Sequence, residues 1–332
     1  MLKEDIIADT SDNHSKAKPI PSFHPAAQIR RLIENISKAF VGKETVTTQA
    51  VLALLAEGHV LLEDVPGLGK TLLAKAISKS ISAEFKRIQF TADLLPSDIS
   101  GVTIYSQERN EFSFRKGPVF THILLGDEIN RATPRTQSSL LEAMEESSVT
   151  VDGELYPLQR PFFVMATQNP IELEGTYPLP FAQMDRFMIR LKIGYLNREE
   201  EIKMVRMQQH STPVDSLTPV MDCTTLTRIQ NAVCEIRMED QLRGYLVDLV
   251  RATRECEALE YGASPRGCLD LQRYSQAIAL LDSREFILPD DIKTAARLLL
   301  PHRLIVKRGT RSVTANASSL IKQIIDSVPV PV

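Results

Sequence analysis

The chain has 332 residues, a net charge of −3, 43 % hydrophobic and 24 % charged residues, enough to bury a large core in two domains and far from a disordered tail or short peptide. The small negative charge gives no global attraction to nucleic acid or to an acidic membrane, and no apolar run approaches the roughly 20 residues a membrane span needs. Cys223, Cys234, Cys256 and Cys268 all fall in the last third without paired spacing; they predict buried free thiols rather than zinc ligands, and with no signal-peptide pattern at the start they predict a cytoplasmic protein.

In chain order, residues 1–23 mix charge, Ser, Asp and Pro without periodicity and predict a flexible N-terminal arm. Ile29, Leu32, Ile33, Ile36 and Phe40 then trace one helical face that stops at Val41-Gly42, and a second apolar helix is expected over about 45–57. Residues 60–62 are a buried-strand candidate that breaks into Asp64-Val65-Pro66-Gly67-Leu68-Gly69-Lys70-Thr71, after which Leu72, Leu73, Ala76 and Ile77 recur at helical spacing. A short strand at 85–90, an insertion at 92–101 that is neither clearly strand nor helix, and a hairpin from 102–106 and 111–114 follow. A second buried strand, 120–125, runs into Asp127-Glu128, and Pro134 opens a helix. Asp152-Gly153 is the turn of a second hairpin. Segments 162–166 and 187–193 are the remaining strand candidates. This alternation predicts an α/β domain over 24–197, a parallel sheet covered on both faces. Residues 198–218 predict a linker helix and hinge, with the prolines of 211–219, and 219–332 a smaller all-helical domain.

The glycine turn between strand and helix is a phosphate cradle. A helix N-terminus offers unpaired N–H groups and a positive dipole end, Lys70 adds a charge for the outer phosphates, and the Thr71 hydroxyl can ligate magnesium. Glycine is usual at the first position of this loop; Asp64 stands there and could bring a negative charge near the phosphates unless it points away. Asp127 and Glu128, at the end of a neighbouring strand, can divide the work: Asp127 holds the magnesium shell and Glu128 activates the attacking water. Asn169, at the end of the next strand, is a polar sensor for the same water or phosphate, or else a loop residue before Pro170. Arg186 lies too far along the sheet domain to reach its own nucleotide easily and could reach a neighbour's; Arg266, after Ser264-Pro265, opens a helix of the second domain and could touch the terminal phosphate. A surface salt bridge is the other reading of either arginine. Arg131 and Arg135 are weaker candidates for a subunit boundary, and His122 is expected as a packed core histidine.

With these pieces in order the chain resembles the MoxR family of AAA+ ATPases over residues 25–305. Besides Val41-Gly42 and 62–71, the resemblance rests on Leu94-Leu95-Pro96-Ser97-Asp98-Ile99, Gly117-Pro118-Val119-Phe120, Asp127-Glu128-Ile129-Asn130-Arg131-Ala132 and Thr136-Gln137-Ser138-Ser139-Leu140-Leu141-Glu142-Ala143-Met144. It continues through Ala166-Thr167-Gln168-Asn169-Pro170, Gly175-Thr176-Tyr177-Pro178-Leu179-Pro180, Gly262-Ala263-Ser264-Pro265-Arg266 and Pro301-His302-Arg303-Leu304. It implies an AAA+ P-loop αβα core with a C-terminal helical lid, ATP and Mg2+ as ligands, and nucleotide contacts from Val41, Gly42 and residues 64–72. It further implies Walker A at 64–71, Walker B at 122–128, sensor 1 at Asn169, an arginine finger at Arg186, sensor 2 at Arg266, and inserts at 94–114 and 149–157. Proteins similar to this are hexameric, chaperone-like ATPases that commonly work with a von Willebrand factor A domain protein on protein clients. Phe181 departs from the family's usual acidic residue before Ala182-Gln183. A nucleic-acid-stimulated motor is the alternative enzyme reading, although no basic stripe with interleaved aromatics supports it. A nucleotide-gated scaffold with little turnover is the non-enzyme one, motivated by Asp64.

Overall fold

The computed structural model describes residues 23–108, 110–170, 175–208, 212–307 and 316–331. The arm expected over 1–23, apart from Phe23, and Ser211 of the expected hinge lie outside them.

α1 (Pro25–Ala39) begins with proline, whose missing N–H costs nothing at a first helical position, and buries Ile29, Leu32, Ile33 and Ile36 along one face. α2 (Glu44–Leu55) is apolar almost all round because it is enclosed. β1 (Val60–Glu63) leads through the glycine turn into α3 (Lys70–Ser80), then β2 (Phe85–Gln89), α4 (Pro96–Ser100) and the hairpin β3 (Gly101–Ser106) with β4 (Glu111–Lys116). β5 (Ile123–Asp127), α5 (Pro134–Glu146), the hairpin β6 (Ser148–Val151) with β7 (Glu154–Pro157), β8 (Phe163–Gln168), α6 (Phe181–Met184) and β9 (Ile189–Leu191) complete the first half.

The main sheet has five parallel strands in the order β2-β5-β8-β1-β9. Val60, Leu62, Ile123, Leu125 and Met165 pack on the side of α1, α2 and α3, whereas Leu61, Leu124, Val164 and Ala166 pack on the other. Both faces are therefore buried, which is why these strands read as continuous apolar runs instead of alternating ones. Their C-terminal ends gather on one edge, where Glu63 lies beside Gln168 and Gln89 beside Asp127.

The second half contains α7 (Arg198–Met207), α8 (Cys223–Cys234), α9 (Asp240–Glu255), β10 (Leu259–Tyr261), α10 (Pro265–Leu281), α11 (Pro289–Leu299), β11 (Ile305–Val306) and α12 (Ala317–Ser327). Its core runs without a break into that of α1, α2 and α3. Arg30 donates to the Leu281 carbonyl, and Gln230 to that of Leu54, both at 2.9 Å.

Four expectations are corrected. The insertion at 92–101 contains α4, started by Pro96 with the Asp98 carboxylate taking the Leu95 N–H. His122 is only half-buried, just ahead of β5, and its Nδ1 accepts the Glu84 N–H; the packed histidines are His59 and His302. Cys234 is exposed and the other cysteines half-buried. The helical half is interrupted by an antiparallel ribbon of β10 and β11, too short to leave a period in the sequence. Among the described residues no helix is long and apolar enough to cross a membrane.

Candidate active site

The loop after β1 turns through Gly67 and Gly69, with φ of 87° and 86°, a region an L side chain enters only at a cost of about 1–2 kcal/mol. The turn delivers Lys70 and Thr71 as the first residues of α3. Asp64 points away from the cradle: its carboxylate accepts the Gly194 N–H at 2.7 Å and the Val65 N–H at 3.1 Å. The Lys70 ammonium meets the Asp64 carbonyl instead. Burial lowers the Lys70 pKa, opposed by the carboxylates of Asp64, Asp127, Glu128 and Glu63.

Asp127 and Glu128 face Lys70 from β5. Thr167 donates its hydroxyl to Asp127 Oδ1 at 2.6 Å and accepts the Glu128 N–H at 2.8 Å, so β8 fixes both residues. Arg87 binds Asp127 Oδ2 at 2.6 Å. Gln89 and Arg131 converge on Glu128 Oε2 at 2.9 and 3.0 Å. Glu128 itself has a φ of 56°, backbone strain of the kind held at functional positions by surrounding contacts. Asn169, buried just beyond β8, joins them at the cleft.

Lys70, Thr71, Asp127, Glu128 and Asn169 thus line one cavity of about 620 Å³, with Thr212 and Asp215 on its far wall. A second cavity of about 430 Å³ adjoins it, sharing Pro66, Gly67, Gly69 and Leu72, and is lined by Phe40, Val41, Leu68, Tyr195, Met204 and Met207. A cleft lined by charged side chains of both signs, with Lys70, Lys75 and Arg87 as its cations, beside an apolar pocket matches a metal-bound polyphosphate joined to a flat base. Val41 lines the apolar pocket; Gly42 does not, and lies against the Phe40 ring instead. Asp64 and Val65, expected among the nucleotide contacts, line neither cavity, because the Asp64 carboxylate is turned to the Val65 and Gly194 N–H groups. The oxygen donors Thr71 and Asp127, on one cavity wall, suit a hard cation such as magnesium.

Arg186 and Arg266 are not brought to this cleft. Arg186 Nε lies 2.9 Å from Glu145 Oε2, and the Arg266 guanidinium 2.9 Å from Glu145 Oε1. Arg266, expected from its place at the start of a helix to touch the terminal phosphate, pairs with Glu145 instead, which brings the first turn of α10 to the end of α5. Arg131 turns back to Glu128. Sequence reasoning missed Arg87, Gln89, Thr167 and Glu145. Arg87 and Gln89 did leave a signal, two polar residues at period two where a strand of a buried sheet ends.

A profile of the ATPase family associated with various cellular activities (AAA) matches residues 59–189, and one of an AAA lid domain matches 251–324. The chain is similar to Chaperone MoxR1 of Mycobacterium tuberculosis, 37% identical over 91% of this chain and 82% of the relative. It is also similar to the uncharacterized protein YeaC of Bacillus subtilis, 47% identical over 93% of this chain and 96% of the relative. A crystal structure from Cytophaga hutchinsonii superimposes with a TM-score of 0.85 at 36% identity, over 93% of this chain and 96% of the other.

Proposed function

This chain belongs to the MoxR family of AAA+ ATPases and is an ATP hydrolase, and from that premise we propose that, in a hexameric ring, it couples hydrolysis to chaperone-like remodelling, assembly or activation of protein clients. The observation that carries the reading is the convergence of Lys70, Thr71, Asp127, Glu128 and Asn169 on one cleft beside an apolar pocket. In this reading Lys70 and the N-terminus of α3 take the outer phosphates. Glu128 orients water and takes its proton as the water oxygen bonds the terminal phosphorus and the bridging P–O bond breaks onto ADP. Asn169 holds the water or the outer phosphate from the other side. Thr71 and Asp127 would hold Mg2+, which neutralises phosphate charge when bound.

The placement of Arg186 and Arg266 on Glu145, outside their own cleft, supports their being supplied to the neighbouring subunit's site, where a cation stabilises the charge of the transferring phosphoryl group. Division into a core of 24–197, a linker and hinge of 198–218 and a lid of 219–332 is part of the same reading. Protein clients find support in the two hairpins, which expose Ile104, Tyr105, Phe112 and Leu155 and meet through Phe114 stacked on Tyr156 at 4.2 Å. A von Willebrand factor A domain protein as partner and a cytoplasmic site of action complete the proposal.

Subunit mixing tests it. Arg186→Ala and Glu128→Gln subunits are each expected to be inactive alone, and a mixed ring to regain ATPase activity where an intact Glu128 site faces an intact Arg186. No rescue at any ratio, with mixed assembly confirmed by native mass spectrometry, would overturn the shared site.

A further inference from the structure

The last turn of α5 carries one carboxylate that grips both arginines. Glu145 offers one oxygen to Arg186 and the other to Arg266, each at 2.9 Å. The three side chains come from different pieces of the chain: α5, the turn between α6 and β9, and the first turn of α10. All stay partly open to solvent, Arg186 at 29 %, Arg266 at 30 % and Glu145 at 44 % of their side-chain surface, so two positive charges and one negative present a net cation that an anion can approach. Without the carboxylate the guanidinium groups would repel each other; the ion pair to Arg186 and the charge-assisted hydrogen bond from Arg266 hold them side by side.

Glu145 also connects this pair to more distant parts. Just beyond it β6 begins at Ser148, the first strand of the hairpin whose Tyr156 stacks on Phe114. At the other end of α5, the Thr133 cap follows directly on the turn after Glu128. The arginines are meanwhile fastened together from the opposite side. Ser264 donates to Asp185 Oδ2 at 2.7 Å, and the fully buried Arg303 contacts Asp185 and Asp270 and donates to the Phe187 carbonyl at 3.0 Å. The segment bearing Arg186 and the helix bearing Arg266 are therefore one rigid unit, and Glu145 is where α5 holds it.

We propose that Glu145 is a positioning residue: it sets Arg186 and Arg266 for the neighbouring subunit's nucleotide and carries the state of the hairpins to them along α5. This rests on the reading that Arg186 serves a neighbour, and the test separates the two. Glu145→Gln, which keeps shape but removes the charge, should lower kcat ten- to a hundredfold, on the order expected for misplaced catalytic groups, with the Kd for ATP unchanged by calorimetry. Mixed with Glu128→Gln subunits it should regain activity, as Arg186→Ala does. Mixed with Arg186→Ala it should regain none, because both defects lie on the donating side of the interface. An unchanged kcat, or rescue by Arg186→Ala, overturns the role of Glu145; failure of Arg186→Ala and Glu128→Gln to complement each other overturns the shared site instead. If Glu145→Gln subunits do not assemble, Glu145→Asp keeps the charge but is too short for both arginines. It should fall in the same class as Arg186→Ala, and complementation between the two would refute the proposal.

Discussion

Asp64 shows how a residue that breaks a familiar pattern can be absorbed by local geometry. The carboxylate that could have repelled phosphates ties the end of β1 to the backbone beyond β9, and it is the Asp64 carbonyl that the Lys70 ammonium touches. Asp64→Ala leaves the Gly194 N–H without its acceptor, so stability should fall by about 1–3 kcal/mol in urea unfolding while ATP affinity is preserved. Lost affinity at unchanged stability would put the carboxylate in the binding site. Lys70 and Glu128 behave oppositely. Lys70→Ala removes the charge facing the phosphates and no core packing, so calorimetry should detect no ATP binding by a folded protein. Glu128→Gln keeps the contacts of Gln89 and Arg131 within reach, and should bind ATP while turning it over at least about a hundredfold more slowly.

At the scale of elements, the lid is held by charge as well as by apolar packing. Arg303 is fully buried between Asp185 and Asp270, and its neighbour His302 bonds the Phe187 carbonyl at 2.9 Å, so the turn that follows α11 in the lid grips the segment that carries Arg186. Arg303→Met would strand two carboxylates, a loss of about 3–5 kcal/mol if the pair behaves as buried ion pairs do. Proteolysis should then cut the lid before the core, and simultaneous loss of both would show that the two do not separate. This grip also marks the limit of what the sequence discloses. The strands, the two hairpins and the cleft residues Lys70, Asp127 and Glu128 were legible because each rests on local spacing: a buried run, an Asp-Gly turn, a helix opening after glycine. Glu145 and Arg303 were not, since their partners lie far away in the chain and a charged residue at a helix end reads first as solvated. β10, β11 and α4 escaped because two to five residues are too few to establish a period.

For the molecule as a whole, two buried histidines make stability depend on acid. His59 accepts the Val164 N–H at Nδ1 and bonds the Met144 carbonyl through Nε2, joining β8 to the end of α5, while His302 joins the lid to the core. Burial is the main cause that lowers their pKa values, from 6.5 to about 4 for His59 and about 3 for His302, with the Arg303 charge adding to the second. The folded state therefore refuses protons that the unfolded chain accepts. Stability is full above pH 6.5 and declines as pH falls toward 4, at about 1.4 kcal/mol per pH unit for each histidine, or roughly 2 kcal/mol each by pH 5. Carboxylates held by ion pairs lose stability in the same direction, so the total slope alone does not identify the histidines. Substitution does: His302→Gln retains a donor for the Phe187 carbonyl but cannot titrate. Its urea-unfolding free energy should fall by about 2 kcal/mol less than that of the unaltered protein between pH 7 and pH 5. An equal fall in both would mean that His302 takes up its proton as readily in the folded as in the unfolded chain, and that acid does not act through the contact joining the lid to Phe187.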